Sequence, residues 1–165
     1  MPLIELETRI EAPVKRVFDL ARSIDAHTTS AGGSGERAVS GRRSGLLELG
    51  ESVTWEARHF GVKQQLTVKM TALDRPRMFE DEMVRGAFSS MRHRHRFEPD
   101  GDGTMMSDEF SFSAPLGIMG RIAERIFLTG YMRRFLAERN QVLKKMAESD
   151  VWRAYLPQEP GESSQ

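Results

Sequence analysis

Met91-Arg92-His93-Arg94-His95-Arg96-Phe97 alternates strictly between two kinds of residue. In a β-strand, successive side chains point to opposite faces. Met91, His93, His95 and Phe97 therefore share one face, and Arg92, Arg94 and Arg96 share the other. One face is a cationic ladder suited to water. The other mixes imidazoles with apolar groups, a lining that suits a cavity holding a mostly apolar guest touched by a few polar groups. The strand is expected to belong to a sheet with one wet face and one face turned inward.

The same reading extends along the chain. Residues 3–10 (LIELETRI) alternate and predict a strand; Ala12-Pro13 follows, and Val14, Val17, Phe18 and Ala21 fall on one helical face. Helical character restarts through residues 23–27, and residues 31–35 (AGGSG) make a connector. A meander then follows: Glu36–Gly41, Ser52–Phe60, Lys63–Leu73, Arg77–Arg85, Ser89–Pro99 and Thr104–Ser113 read as strands. The turn at Pro99-Asp100-Gly101-Asp102-Gly103 is the strongest of its punctuation.

Residues 116–148 are expected to be helical with two apolar stripes. Met119, Ile122, Ala123, Ile126 and Phe127 make one; Leu128, Met132, Phe135, Leu136, Leu143 and Met146 make the other, roughly opposite at 100° per residue. Either the helix breaks or kinks near Thr129-Gly130, the favoured reading because glycine sits at the switch, or it is contacted on two sides.

Residues 1–156 are expected to form one domain and 157–165 (PQEPGESSQ) a frayed tail. Lys+Arg and Asp+Glu are both 24, giving zero formal charge. That balance argues against nucleic acid as a partner, since such affinity rests on neutralising phosphates. The chain has no cysteine, so disulfides and thiolate chemistry are excluded. No secretory signal or membrane-length apolar run is visible, so no stable membrane insertion is expected and a cytoplasmic location is the default. Oligomeric state is left open.

Strand, helices, six antiparallel strands and a long helix predict an α+β architecture: a curved antiparallel sheet of about seven strands wrapped around the C-terminal helix, with room between them. The opening strand is followed by Ala12-Pro13 and Val17-Phe18, then come Gly50-Glu51-Ser52-Val53-Thr54-Trp55 and His59-Phe60-Gly61. Gly86-Ala87-Phe88 precedes the histidine strand, and Gly103-Thr104 with Asp108, then Pro115-Leu116-Gly117, complete the series. In these motifs and their order the chain resembles the START-like superfamily of polyketide cyclases/dehydratases and lipid-transport proteins, also called SRPBCC-type helix-grip proteins. The resemblance implies a helix-grip fold and binding of a hydrophobic or amphipathic small molecule, lipid- or polyketide-like. It does not fix an activity, because fold and function are separable.

Sequential pairing would turn Trp55, His59, Met70, Phe79, Asp81, Met83, Met91, His93, His95, Met106, Asp108 and Phe110 inward, with Met132 facing them from the helix. These are the candidate ligand-binding residues. Five of them ionise: His59, Asp81, His93, His95 and Asp108. Buried charges must find partners, water or a ligand. They could form a satisfied His–Asp network at the cavity mouth, or hydrogen-bond a ligand's oxygen atoms. They could also do acid–base work, with His93, His95 and Asp81 as catalytic candidates. His93 and His95 at i, i+2, with His59 or Asp81, are compatible with a metal site, but no metal or cofactor is expected. Carrier or sensor is the leading function. A cyclase/dehydratase using a His–Asp pair is the first alternative, and a structural or interaction domain with a filled cavity the second.

Overall fold

The computed structural model describes residues 1–158 of the chain. The expected tail, 157–165, therefore lies outside the described residues from 159 onward. The strands are β1 (Leu3–Ile10), β2 (Arg37–Gly41), β3 (Ser52–His59), β4 (Val62–Asp74), β5 (Met78–Arg85), β6 (Ser90–Asp100) and β7 (Gly103–Ser113). The helices are α1 (Val14–Ala21), α2 (Ile24–Ser30), α3 (Gly117–Ala123) and α4 (Thr129–Glu148), with a π-helical stretch at Glu124–Leu128 joining the last two.

All seven strands form one antiparallel sheet in the order β1-β7-β6-β5-β4-β3-β2. The chain starts at one edge, crosses through α1 and α2 to the other, and meanders back to β1. β-bulges bend the sheet. The one between Met70 and Ala72 shifts the register, so that Met70 faces Asp81 and Leu73 faces Phe79. Simple alternation would put Leu73 on the opposite face from Met70. With the bulge, Leu73 packs against the core too.

The inward face of the sheet closes over α1 and α4. Phe18 of α1 is buried and meets the rings of Phe97 and Phe79 edge-on, with centroids 5.3 and 5.8 Å away. From α4, Leu136, Asn140, Leu143, Met146 and Ala147 are buried. On the outer face the arginine ladder meets carboxylates: Arg94 bonds Glu80 at 2.7 Å, and Arg96 approaches Glu109 at 3.4 Å. The half-exposed Arg96–Glu109 pair contributes about 0–1 kcal/mol, whereas Glu80 is buried beneath Arg94.

The two helical stripes have different fates. The stripe from Leu128 to Met146 is the one that joins the core. The first stripe does not: Met119, Ile122, Ile126 and Phe127 are exposed, Met119 by 79%. The expectation that both would be covered is corrected here, along with the inward placement of Met119. The physical reason is the π-helical stretch. Wider turns change the phase of side chains, and α3 makes its main contacts with that stretch rather than with the sheet. The helix does not break at Thr129-Gly130: the helical run is continuous from Gly117 to Glu148, and its π-helical turn, Glu124–Leu128, lies just before that pair. At Gly120 of α3 a side chain is barred, since an added Cβ would sit 1.9 Å from the Pro115 carbonyl oxygen. Ile122→Ser is expected to change the unfolding free energy by less than about 0.5 kcal/mol; a larger loss in urea denaturation would place the stripe in contact with the core.

Candidate functional site

β6, β7 and α4 build one buried polar cluster. His93 and His95 lie two apart on β6, so they share the inner face, and Asp108 lies directly opposite His95 on β7. His93 Nε2 is 2.9 Å and His95 Nδ1 2.7 Å from the same Asp108 oxygen, Oδ1. Asn140 Nδ2, from α4, donates to Asp108 Oδ2 at 2.6 Å. All four side chains are buried, Asp108 to within 2%. His95 Nε2 lies 3.8 Å from Asp81 Oδ2, an ion-pair distance rather than a hydrogen bond. The two imidazoles are 3.8 Å apart between centroids, and Phe79 stacks on His95 at 4.3 Å.

Electrostatics divides the two histidines. Burial raises the Asp108 carboxyl, but hydrogen bonds from His93 and His95 outweigh it and hold Asp108 well below the usual carboxylate range. Burial, reinforced by the charge of His95, pushes His93 down to about 4. Burial also opposes charge on His95, yet its bonds to Asp108 and the proximity of Asp81 raise it. An ionised carboxylate only accepts. His93 is thus a neutral ring donating Nε2–H to Asp108, with Nδ1 left as an acceptor. His95 is the proton-rich ring, donating Nδ1–H to Asp108 and turning Nε2–H towards Asp81. A hydrogen-bond donor and an acceptor stand side by side.

Around this cluster lies a chamber of about 100 Å³, walled by both strand and helix residues. A second chamber, about 220 Å³, adjoins it through shared walls at Glu36, Trp55, Leu66, Phe88, Met132 and Phe135. Together they reach only the lower end of the range for drug-sized ligands, about 300 Å³.

The inner chamber touches Trp55, Met70, Phe79, Asp81, Met91, His93, His95, Phe110 and Met132. His59 lines the outer chamber instead. It is not part of the histidine cluster: β3 is three strands from β6, about 14 Å at the usual spacing. There its Nδ1 makes a 2.6 Å hydrogen bond with the Tyr131 hydroxyl. Asp108 backs the histidines without lining either chamber, Met106 is fully buried core, and half-buried Met83 packs against the core. The His–Asp network sits deep under the sheet rather than at a mouth: α4 packs on β1, the neighbour of β7, and Asn140 reaches Asp108 from it.

Sequence reasoning missed four polar participants: His27, Glu36, Arg139 and Asn140. Asn140 had a signal, since it interrupts the buried row Leu136, Leu143, and asparagine is a poor helix-interior residue without a partner. The others come from the α2–β2 crossover and the flank of α4, which no periodicity tied to β6. His27 stacks on Trp55 at 4.0 Å, and its Nε2 is 3.2 Å from Glu36 Oε1. Burial, then the charge of Arg139, pushes His27 down, so its ring is neutral and donates to Glu36.

Asp81, His93 and His95 are, among the described residues, the group that could offer ligand atoms to a cation; those atoms lie within 4.8 Å of one another. A tetrahedral zinc sphere needs them about 3.4 Å apart.

The comparisons agree with this architecture. The structure of TTHA0849 from Thermus thermophilus superposes with a TM-score of 0.73 at 18% identity, covering 88% of this chain and 97% of that one. Protein CV1439 from Chromobacterium violaceum gives 0.70 at 15% identity, covering 90% and 98%. A START superfamily protein from Mycobacterium smegmatis gives 0.66 at 13% identity, covering 88% and 97%. At such identities the likeness is one of fold. No curated protein matches the sequence. The family model described as polyketide cyclase / dehydrase and lipid transport matches residues 1–148, nearly the whole helix-grip unit built above. The chain therefore belongs to the polyketide cyclase / dehydrase and lipid transport family.

Proposed function

We propose that the chain binds a hydrophobic small molecule bearing a few oxygen atoms, in the paired chambers between sheet and α4, as a carrier or sensor. One observation carries this reading: a mostly apolar space, which Asp81, Glu36 and Arg139 also line, ends on His93 and His95, both held by one buried carboxylate outside its walls. Locked polar groups in an apolar wall fix a guest's orientation at little entropic cost. The family's inclusion of lipid transport supports the same reading.

The test is titration with an apolar fluorescent probe, together with native mass spectrometry of organic extracts from the purified protein. Met132 lines both chambers and is half-buried, so Met132→Trp should fill the passage. The expected result is probe binding to the unaltered protein that falls at least tenfold in Met132→Trp, with the melting temperature kept within a few degrees. No probe binding and no extracted ligand would sink the reading.

A second reading has its own support. Neighbouring groups whose surroundings push their protonation apart are a mark of acid–base sites. In a dehydration, a base takes the proton α to a carbonyl, the bond to the β-hydroxyl breaks, and a donor's proton leaves with it as water. His95 Nε2–H would be that donor and Asp81 the base. The family's cyclase and dehydrase members favour this chemistry. His95→Gln with unchanged turnover of a β-hydroxyketone would remove it.

A further inference from the structure

Glu36 lies at the chambers' junction and takes no part in the hydrogen bonds of the histidine cluster. Its side chain is 9% exposed, and it lines both chambers where they meet. One oxygen, Oε1, accepts from His27. The other, Oε2, is buried with no hydrogen-bond partner among the described residues. Buried polar atoms are normally paired, and a carboxylate oxygen left bare forfeits a charge-assisted bond. Burial raises this carboxyl, but His27 and the charge of Arg139 bring it below the usual range, so it is an acceptor on both oxygens. Beside it, Trp55 and His27 stack with planes 20° apart, and both contribute aromatic surface to the inner chamber. Leu66, Phe88 and Phe135 complete an apolar surround.

We propose that Glu36 Oε2 is a recognition point for a hydroxyl or phenol carried by a flat, apolar ligand lying across the junction of the two chambers. This rests on the reading that the chambers hold a guest, and it narrows that guest's chemistry. The donor is a neutral O–H rather than an ammonium. Arg139 already lines the inner chamber, and a second cation there would be repelled.

The experiment compares two probes of one shape, 1-naphthol and 1-methylnaphthalene, by calorimetric titration of the unaltered protein, Glu36→Gln and Glu36→Met. In Glu36→Gln the amide oxygen can keep the bond to His27, which leaves an NH₂ group where the bare oxygen stood. Glu36→Met removes the acceptor altogether at similar length. Comparing ratios between protein forms cancels the probes' different hydrophobicities. The ratio favouring 1-naphthol should fall about tenfold or more in both variants, with melting curves reporting that each is folded. An unchanged ratio in the folded variants would overturn the role of Glu36 while leaving the cavity reading intact. If neither probe binds any form, the cavity reading falls and this inference falls with it.

Discussion

Replacing Asp108 by alanine is expected to lower the unfolding free energy by about 3–5 kcal/mol, the scale for removing one partner from a buried, paired charge. The number follows from what is left behind. His93 Nε2–H, His95 Nδ1–H and the Asn140 amide all converge on this carboxylate from a neighbouring strand and a helix. With alanine there, three buried donors lose their acceptor, and each stranded donor costs about 1–3 kcal/mol. Partial relief comes from His95 giving up its proton, which holds the total below the sum of separate penalties. Asp108→Asn should cost less, because its carbonyl oxygen still accepts from the imidazoles and Asn140 can turn its own oxygen towards the new amide. Urea denaturation at pH 7 measures both. A loss under about 1 kcal/mol in Asp108→Ala would mean the cluster is not assembled as described.

That cluster was half legible in the sequence. Alternation placed Met91, His93, His95 and Phe97 on one face, and the same period assigned Phe79, Asp81, Asp108 and Phe110 to it; the register pairs them accordingly. Period-two geometry is rigid enough that a strand's faces follow from its residues. Distances across the sheet are another matter. His59 shares the face with His93, yet three strands' spacing separates them in the sheet; a shared face says nothing of distance along it. The helix shows the opposite limit. Met119, Ile122, Ile126 and Phe127 repeat as a core stripe would, but whether a stripe is covered depends on where the helix runs past the sheet. A π-helical insertion decides that here. Glu36 and His27 were silent because a lone polar residue beside a loop looks the same whether it faces water or a cavity.

Acidification from pH 7 to pH 4 is expected to lower stability steadily, and His93 accounts for about 3 kcal/mol of the loss. The folded protein holds His93 neutral down to about pH 4, whereas the unfolded chain takes up that proton near pH 6.5. Between those values the unfolded state binds more protons, so stability rises with pH across the window and falls as the solution is acidified. His27, also pushed down by burial, adds in the same direction. Asp108 behaves differently: its contribution is complete above the unfolded value near 3.9 and is lost only as pH falls through its lower folded value. His95, raised in the fold, contributes fully below pH 6.5 and loses that contribution as pH rises through its folded value. The stability curve should therefore be a dome, with an acid limb set by the two neutral imidazoles and an alkaline limb set by the charged one. Urea midpoints from pH 4 to 9 trace it. In His93→Gln an amide N–H can still reach Asp108, so the acid limb should lose the roughly 3 kcal/mol that His93 supplies while the alkaline limb stays. If His93→Gln keeps the full acid slope, the neutral ring is not where that slope originates, and the division of protons between His93 and His95 is wrong.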